Sequence, residues 1–351
     1  MFAMSRRVAW TLPLLAVLAT AGGCKRNAAP VDEKASVFPT LAERQDQLDT
    51  LQLRGAGNAT LVTLRRKEKV WRVAERTDWP ADAGRISQYL FVLSQARLAE
   101  AKTSNPELYA RIGVEPITDE AATGSELTLS GQGNSSRLLI GHEHTKFDSN
   151  YVRIDGQAQA WLTDLPVTFD RDPAAWLDRR LVDLPLARIA GVRVRPTPPG
   201  KPFALSHRDD RFRLDDAPSA AMGDSQQGDA LAGVLDQLRL EDLAVDDGKQ
   251  AAERELQFTT VDGLRLTIQA WHAGEQLWVR LAASTDEARA GEWARQLAAP
   301  GSKSDSEPKP VPERVAELNQ RFHARRFLMP TNVETVLMLS REEILAGAPS
   351  P

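Results

Sequence analysis

VLDQLRL (residues 234–240) and VLSQARL (residues 92–98) share five of seven residues. The likeness extends to both sides. Leu51-Gln52-Leu53-Arg54 matches Val192-Arg193-Val194-Arg195 at an offset of 141 (192 − 51), and at the same offset Val62-Thr63-Leu64 falls on Phe203-Ala204-Leu205 and Trp71-Arg72-Val73 on Phe212-Arg213-Leu214. A repeat of this length changes the whole expectation for the fold. It is far longer than the unit of a solenoid, so each copy is expected to be a small domain of its own.

Each copy opens with apolar and polar residues in alternation, the two-residue period of half-buried strands. Turn formers separate these runs, Gly55-Ala56-Gly57-Asn58 in the first copy and Pro198-Pro199-Gly200 in the second. A helix is expected next. Ile86, Tyr89, Leu90, Leu93 and Ala96 recur at helical spacing, with Pro80 placed for the first turn, and the second copy offers Leu231, Val234, Leu235 and Leu238. The quoted stretches are therefore expected to lie on that helix, with the same leucines packing on each copy's sheet. Strands return afterwards. Glu126–Leu129 resembles Glu255–Phe258, Arg137–Ile140 resembles Arg265–Ile268, and Val152–Ile154 resembles Val279–Leu281. A further helix is expected over Glu287–Leu297. The fold class is α+β: two tandem repeats, each an antiparallel sheet packed against an amphipathic helix, over residues 46–190 and 191–351, with a linker near 301–313.

The N-terminus carries different information. Arg6 and Arg7 precede an apolar run from Val8 to Ala21, then Gly22-Gly23 and Cys24, the chain's single cysteine. That is the cationic, apolar and small-residue succession of a secretory signal. The run is short for a spanning helix, which needs about 20 apolar residues. With Cys24 directly after the small residues, the segment resembles a bacterial lipobox, although Ala21 stands where a lipobox typically has Leu. The resemblance implies a signal peptide over 1–23, lipid attachment at Cys24 and a membrane anchor. Lys25, rather than Asp, after the cysteine implies the outer membrane, with the body facing the periplasm. Residues 24–45 are polar with two prolines and are expected to form a tether.

The pattern Trp71-x-Val73, Trp79-Pro80-Ala81-Asp82, Tyr109-Ala110-Arg111-Ile112-Gly113-Val114, Leu139-Ile140-Gly141, Tyr151-Val152-Arg153 and Trp176-Leu177-Asp178-Arg179-Arg180-Leu181 resembles the domain of unknown function 4340. The resemblance is good over residues 60–190 and looser beyond. It implies a cell-envelope protein tethered at its N-terminus, associated with ABC-type transport or gliding-motility-like membrane complexes. It implies no catalytic residues.

Few residues suggest chemistry. His142 and His144, in Gly-His-Glu-His, are expected on one face of a strand, a geometry two metal ligands can use, with Glu143 on the other. A periplasmic metal-dependent hydrolase using this pair is the alternative function. The acid pairs Asp209-Asp210, Asp215-Asp216 and Asp246-Asp247 read as solvated turns. Trp71, Trp161, Trp176 and Trp278 sit in patterned elements and read as core. A net charge of −4 gives no basic field for nucleic acid. No catalytic motif and no cofactor motif is present. The expected function is a non-catalytic envelope lipoprotein that binds or scaffolds within a membrane complex.

Overall fold

A computed structural model describes residues 34–198, 200–218, 225–297 and 309–346. Cys24 and the expected signal segment lie outside the described residues. Among the described residues, no helix is long and apolar enough to cross a membrane.

The first part of the chain contributes β1 (Thr50–Arg54), β2 (Thr60–Lys67), β3 (Val70–Val73), β4 (Trp79–Pro80), β5 (Leu98–Ala101), β6 (Ser125–Gly131), β7 (Asn134–Glu143), β8 (Asn150–Ile154) and β9 (Ala160–Thr163). They form one sheet in the order β4-β3-β2-β1-β6-β7-β8-β9-β5. A short β10 (Arg180–Val182) follows. The second part contributes β11 (Ile189–Pro196), β12 (Phe203–Arg208), β13 (Arg211–Leu214), β14 (Leu238–Arg239), β15 (Asp242–Val245), β16 (Arg254–Thr260), β17 (Leu264–Ala273), β18 (Gln276–Thr285) and β19 (Arg325–Leu328). Their sheet runs β13-β12-β11-β16-β17-β18-β19-β15, and β10 pairs with β14 outside both sheets. The pairings are antiparallel, and the molecule is α+β. Both sheets belong to one unit with a continuous contact network.

Alternation explains which residues are inside. Along β16 every second side chain is buried, from Arg254 through Leu256 and Phe258 to Thr260, and β17 begins the same way. The cross-strand register runs in parallel between the sheets. Leu51 pairs with Leu64 and Leu129, and Val192 pairs with Leu205 and Phe258. Leu64 then pairs with Val73, and Leu205 with Leu214. One expected match shifts. Leu127 pairs with Leu138 but Leu256 pairs with Ile268, so Leu138 corresponds to Ile268 rather than Leu266. A two-residue slip keeps every side chain on its face, so alternation alone cannot detect it. The β2–β3 and β12–β13 hairpins both turn on two residues of positive φ, Glu68-Lys69 and Asp209-Asp210, as tight hairpins require.

The helical expectation needs correction. The helix expected in the first part is Ala83–Gln95, burying Ile86, Leu90 and Leu93. Pro80 is not in its first turn. It belongs to β4, and the helix begins behind Asp82, whose carboxylate accepts the Arg85 N–H at 3.0 Å. Arg97 and Leu98 have already left the helix, Leu98 to open β5. In the second part the helix is only Gln227–Ala232, followed by a 3-10 turn over Gly233–Leu235. Gln237 then takes φ 50° and Leu238 enters β14. The quoted stretch thus straddles a helix end and a strand start instead of lying on a helix.

Two further segments differ from expectation. Residues 34–45, read as tether, join the fold: Ser36 bridges to Arg97, and Val37, Phe38 and Leu41 are buried. Val311-Pro312-Glu313, read as the end of a linker, forms the first turn of the helix Val311–Phe322, where proline costs nothing because its missing N–H has no partner to lose. The helix Glu287–Leu297 lies where it was expected.

Candidate functional site

Two motif segments that are distant in sequence are clasped together. The Asp82 N–H donates to Trp176 O at 2.8 Å, the Asp178 N–H to Pro80 O at 2.9 Å, and the Trp79 indole N–H to Asp178 O at 2.8 Å. Ala81 also donates to Trp71 O at 2.8 Å. The residues Trp71, Trp79-Pro80-Ala81-Asp82 and Trp176-Leu177-Asp178 therefore form one joint, held mostly through the main chain. On its outer side Phe169 stacks on Trp176 with ring centroids 4.3 Å apart. The Arg85 guanidinium lies over the same indole at 4.9 Å. Tyr89 packs edge-on against both rings and donates its hydroxyl to Val167 O at 3.0 Å. Burial pushes the Tyr89 phenol above its ordinary value, as expected for a group whose charged form has lost water.

On its inner side the joint meets the second sheet. Phe327 of β19 packs edge-on against Trp79 with centroids 5.5 Å apart. Arg321 and Arg325 place their guanidinium groups 4.6 and 5.7 Å from the center of that ring. Trp79 is almost wholly buried, at 1% exposure. Polar contacts reinforce the junction. Arg76 grips Asp242 at 2.6 and 3.0 Å, and hydrogen bonding to that carboxylate raises the arginine's pKa above its ordinary value. Arg325 donates to Thr77 Oγ1 at 2.8 Å and Thr77 O at 3.0 Å.

Between these elements lies a crevice of about 740 Å³, lined by Arg72, Asp78, Trp79, Leu181, Arg314 and Arg321 among others. Its size is in the range of small-ligand sites. Arg314 is neutralised by Asp262, which also takes Arg188. Burial opposes ionisation of Asp262, but the Thr260 hydroxyl and the two arginines outweigh it and hold the carboxyl below its ordinary value.

The third motif group is a structural knot. The Arg153 guanidinium lies over the Tyr109 ring at 4.6 Å and donates to Val114 O at 3.0 Å. Tyr109, Val114 and Ala160 form a buried cluster with Ile112 and Tyr151 against it. The His142 N–H donates to Ile112 O at 3.0 Å. A Cβ on Gly141 would stand 2.1 Å from Ile112 O, so only glycine lets the two chains approach this closely.

The histidine pair is not arranged as expected. β7 ends at Glu143 after an irregularity in its pairing with β8, so His144 lies beyond the strand. His142 Nε2 is 3.0 Å from Thr123 Oγ1, while His144 stacks on Phe147 and accepts the Lys146 N–H at 3.2 Å. Glu143 accepts from Thr168 at 3.1 Å. Among the described residues, no three His, Cys, Asp or Glu side chains stand together as metal ligands do. The acid pairs serve turns and ion pairs. Asp215 takes Arg208, Asp216 takes Arg341 and Asp246 takes Arg280. Trp71, Trp161 and Trp176 are buried, and Trp278 is half-buried.

Sequence reasoning missed Arg321, Arg325 and Thr77. No periodic pattern marks them. Thr77 and Asp78 both adopt positive φ, a turn conformation that neither residue type announces.

A family model, "Domain of unknown function (DUF4340)", matches residues 71–258, more than half of the chain. The chain belongs to this family. The DUF4340 match runs from β3 through β16, so it takes in both the joint at Trp79 and the opening of the second sheet. Comparison with curated proteins and with solved structures finds no match.

Proposed function

We propose that this DUF4340 protein is a non-catalytic cell-envelope lipoprotein whose body binds or scaffolds partners in an ABC-type transport or gliding-motility-like membrane complex. The observation that carries the reading is how the motif residues are used. Trp79, Pro80, Trp176 and Asp178 are tied together through backbone oxygens and N–H groups, and Trp79 packs against Phe327 of the second sheet. Residues used in this way build a buried structural frame rather than a reaction center. The body is read as a duplication of one α+β unit. Supporting this, the strand orders β3-β2-β1-β6-β7-β8-β9-β5 and β13-β12-β11-β16-β17-β18-β19-β15 run in parallel, with corresponding leucines in register.

The anchor rests on the N-terminal sequence: the cationic start, the apolar run and Cys24. Several acyl chains hold a protein at a membrane where one does not. Cys24→Ala is expected to move the protein from the membrane fraction to the soluble periplasmic fraction. The unmodified protein, solubilised in detergent, is expected to co-purify with ABC permease or ATPase subunits. Membrane retention of the alanine variant would overturn the anchor, and capture of the intact protein without such subunits would overturn the partner.

A further inference from the structure

The junction crevice holds three arginines from three elements, Arg72 on β3, Arg321 at the end of the helix Val311–Phe322, and Arg325 on β19. Their hydrogen bonds go to main-chain oxygens or a hydroxyl. Arg72 donates to Asp78 O at 3.0 Å, Arg321 to Arg180 O, and Arg325 to Thr77 and, at 2.9 Å, to Arg321 O. Among the described residues none of the three has a carboxylate in ion-pair contact; Asp178 and Asp78 act on Arg321 and Arg325 only at longer range. The buried Nε of Arg321 has no hydrogen-bond partner. This is unlike Arg314 in the same crevice, which Asp262 neutralises.

The acids lining the crevice are largely committed elsewhere. Glu317 takes Lys309, and Asp78 takes Lys67 through Oδ2 at 3.3 Å, its buried Oδ1 having no hydrogen-bond partner. Asp183 also lines the crevice, and among the described residues it is not in ion-pair contact with any of the three arginines. Burial holds Arg321 and Arg325 below their ordinary values, and the positive charge of Arg72 acts in the same direction on Arg325. Like charges gathered in a half-buried site repel, and an oxyanion removes that repulsion while satisfying the free donors. Leu181, Leu184 and Leu318 also line the crevice.

We propose that this crevice binds a small amphiphilic oxyanion, its carboxylate or phosphate head held by Arg72 and Arg321 and its apolar body lying against Leu181, Leu184 and Leu318. Arg325, fixed by its bonds to Thr77 and Arg321, contributes charge from behind. The site is independent of whether Cys24 carries lipid.

The test is titration of the purified protein with hexanoate, hexyl phosphate and inorganic phosphate, against sodium chloride at equal ionic strength, following the thermal unfolding midpoint. Hexanoate or hexyl phosphate is expected to raise the midpoint, with inorganic phosphate weaker and sodium chloride without effect. Which alkyl probe binds more tightly distinguishes a carboxylate source from a phosphate one. Arg72→Gln is expected to weaken apparent binding by about tenfold or more while leaving the ligand-free midpoint close to that of the parent. Arg321→Gln is expected to act alike; if it does not fold, Arg72→Gln decides. The proposal is overturned if no probe raises the midpoint, if sodium chloride does so equally, if inorganic phosphate equals hexyl phosphate, or if Arg72→Gln responds as the parent does.

Discussion

His272 is a residue through which solution pH reaches into the structure. It stands near the end of β17, with Nδ1 2.8 Å from Glu253 and Nε2 3.2 Å from Glu334 on the helix Thr331–Leu337. The bond to Glu253, helped by Glu334, raises its pKa above the ordinary 6.5. The same bond lowers Glu253 below its ordinary 4.5. A raised histidine contributes stability that is complete below pH 6.5 and is lost as pH climbs through the higher folded value. A depressed carboxyl contributes stability that is complete above pH 4.5 and is lost as pH falls through its folded value. Both contributions are present together between 4.5 and 6.5. Substituting His272→Gln is expected to cost most in that window, about 1 kcal/mol at this solvent-facing site. Unfolding midpoints of parent and variant measured across pH check it, and a difference that stays flat above pH 6.5 contradicts it.

At the scale of elements, Leu93 and Leu235 occupy corresponding places, but on different local structures. Leu93 sits in the last turn of a 13-residue helix and Leu235 closes a 3-10 turn. Both are at 0% exposure. Leu→Ala at either position is expected to lose about 2–5 kcal/mol, from transfer of the missing methyl groups and the cavity left behind. Arg97 and Arg239 are exposed, and their replacement is expected to stay within about 0.5 kcal/mol. Urea unfolding of the four single variants tests both halves, and similar losses at leucines and arginines would contradict burial as the reason the leucines matter. The seven repeated residues misled about helix length because they contain a change of period. Val92 and Leu93 follow helical spacing, while Leu98 already opens a strand. A short window with apolar residues at both spacings does not say where one period yields to the other.

At the scale of the whole molecule, Trp79 is one of the points at which the two sheets meet. It is bonded to Asp178 on its own side and packed against Phe327, Arg321 and Arg325 on the other. The Arg76–Asp242 fork and the β10–β14 pairing add to the same junction. Trp79→Ala is expected to cost about 3–5 kcal/mol and to split thermal unfolding into two transitions, one for each sheet. Calorimetry checks this. A single transition with only a lowered midpoint would place the coupling in the Arg76–Asp242 and β10–β14 contacts instead.

The sequence by itself determined the faces. Alternation along Leu51–Arg54, Val192–Arg195 and Glu255–Phe258 assigned each side chain to the inside or the outside, because burial on one face of a strand is a local, period-two requirement. The offset of 141 likewise picked out alternating runs that form strands at the start of each part. Tertiary structure alone decided the rest. The two-residue shift placing Ile268 opposite Leu256 leaves every face unchanged, so only the partner strand fixes it. His142 and His144 diverge because Ile112 and Phe147 engage them separately. The arginine crevice arises because Arg72 and the pair Arg321 and Arg325, some 250 residues further along the chain, come to line one space. Local patterns record what a residue's own element needs, while long-range packing sets which elements meet, and the crevice exists only where they do.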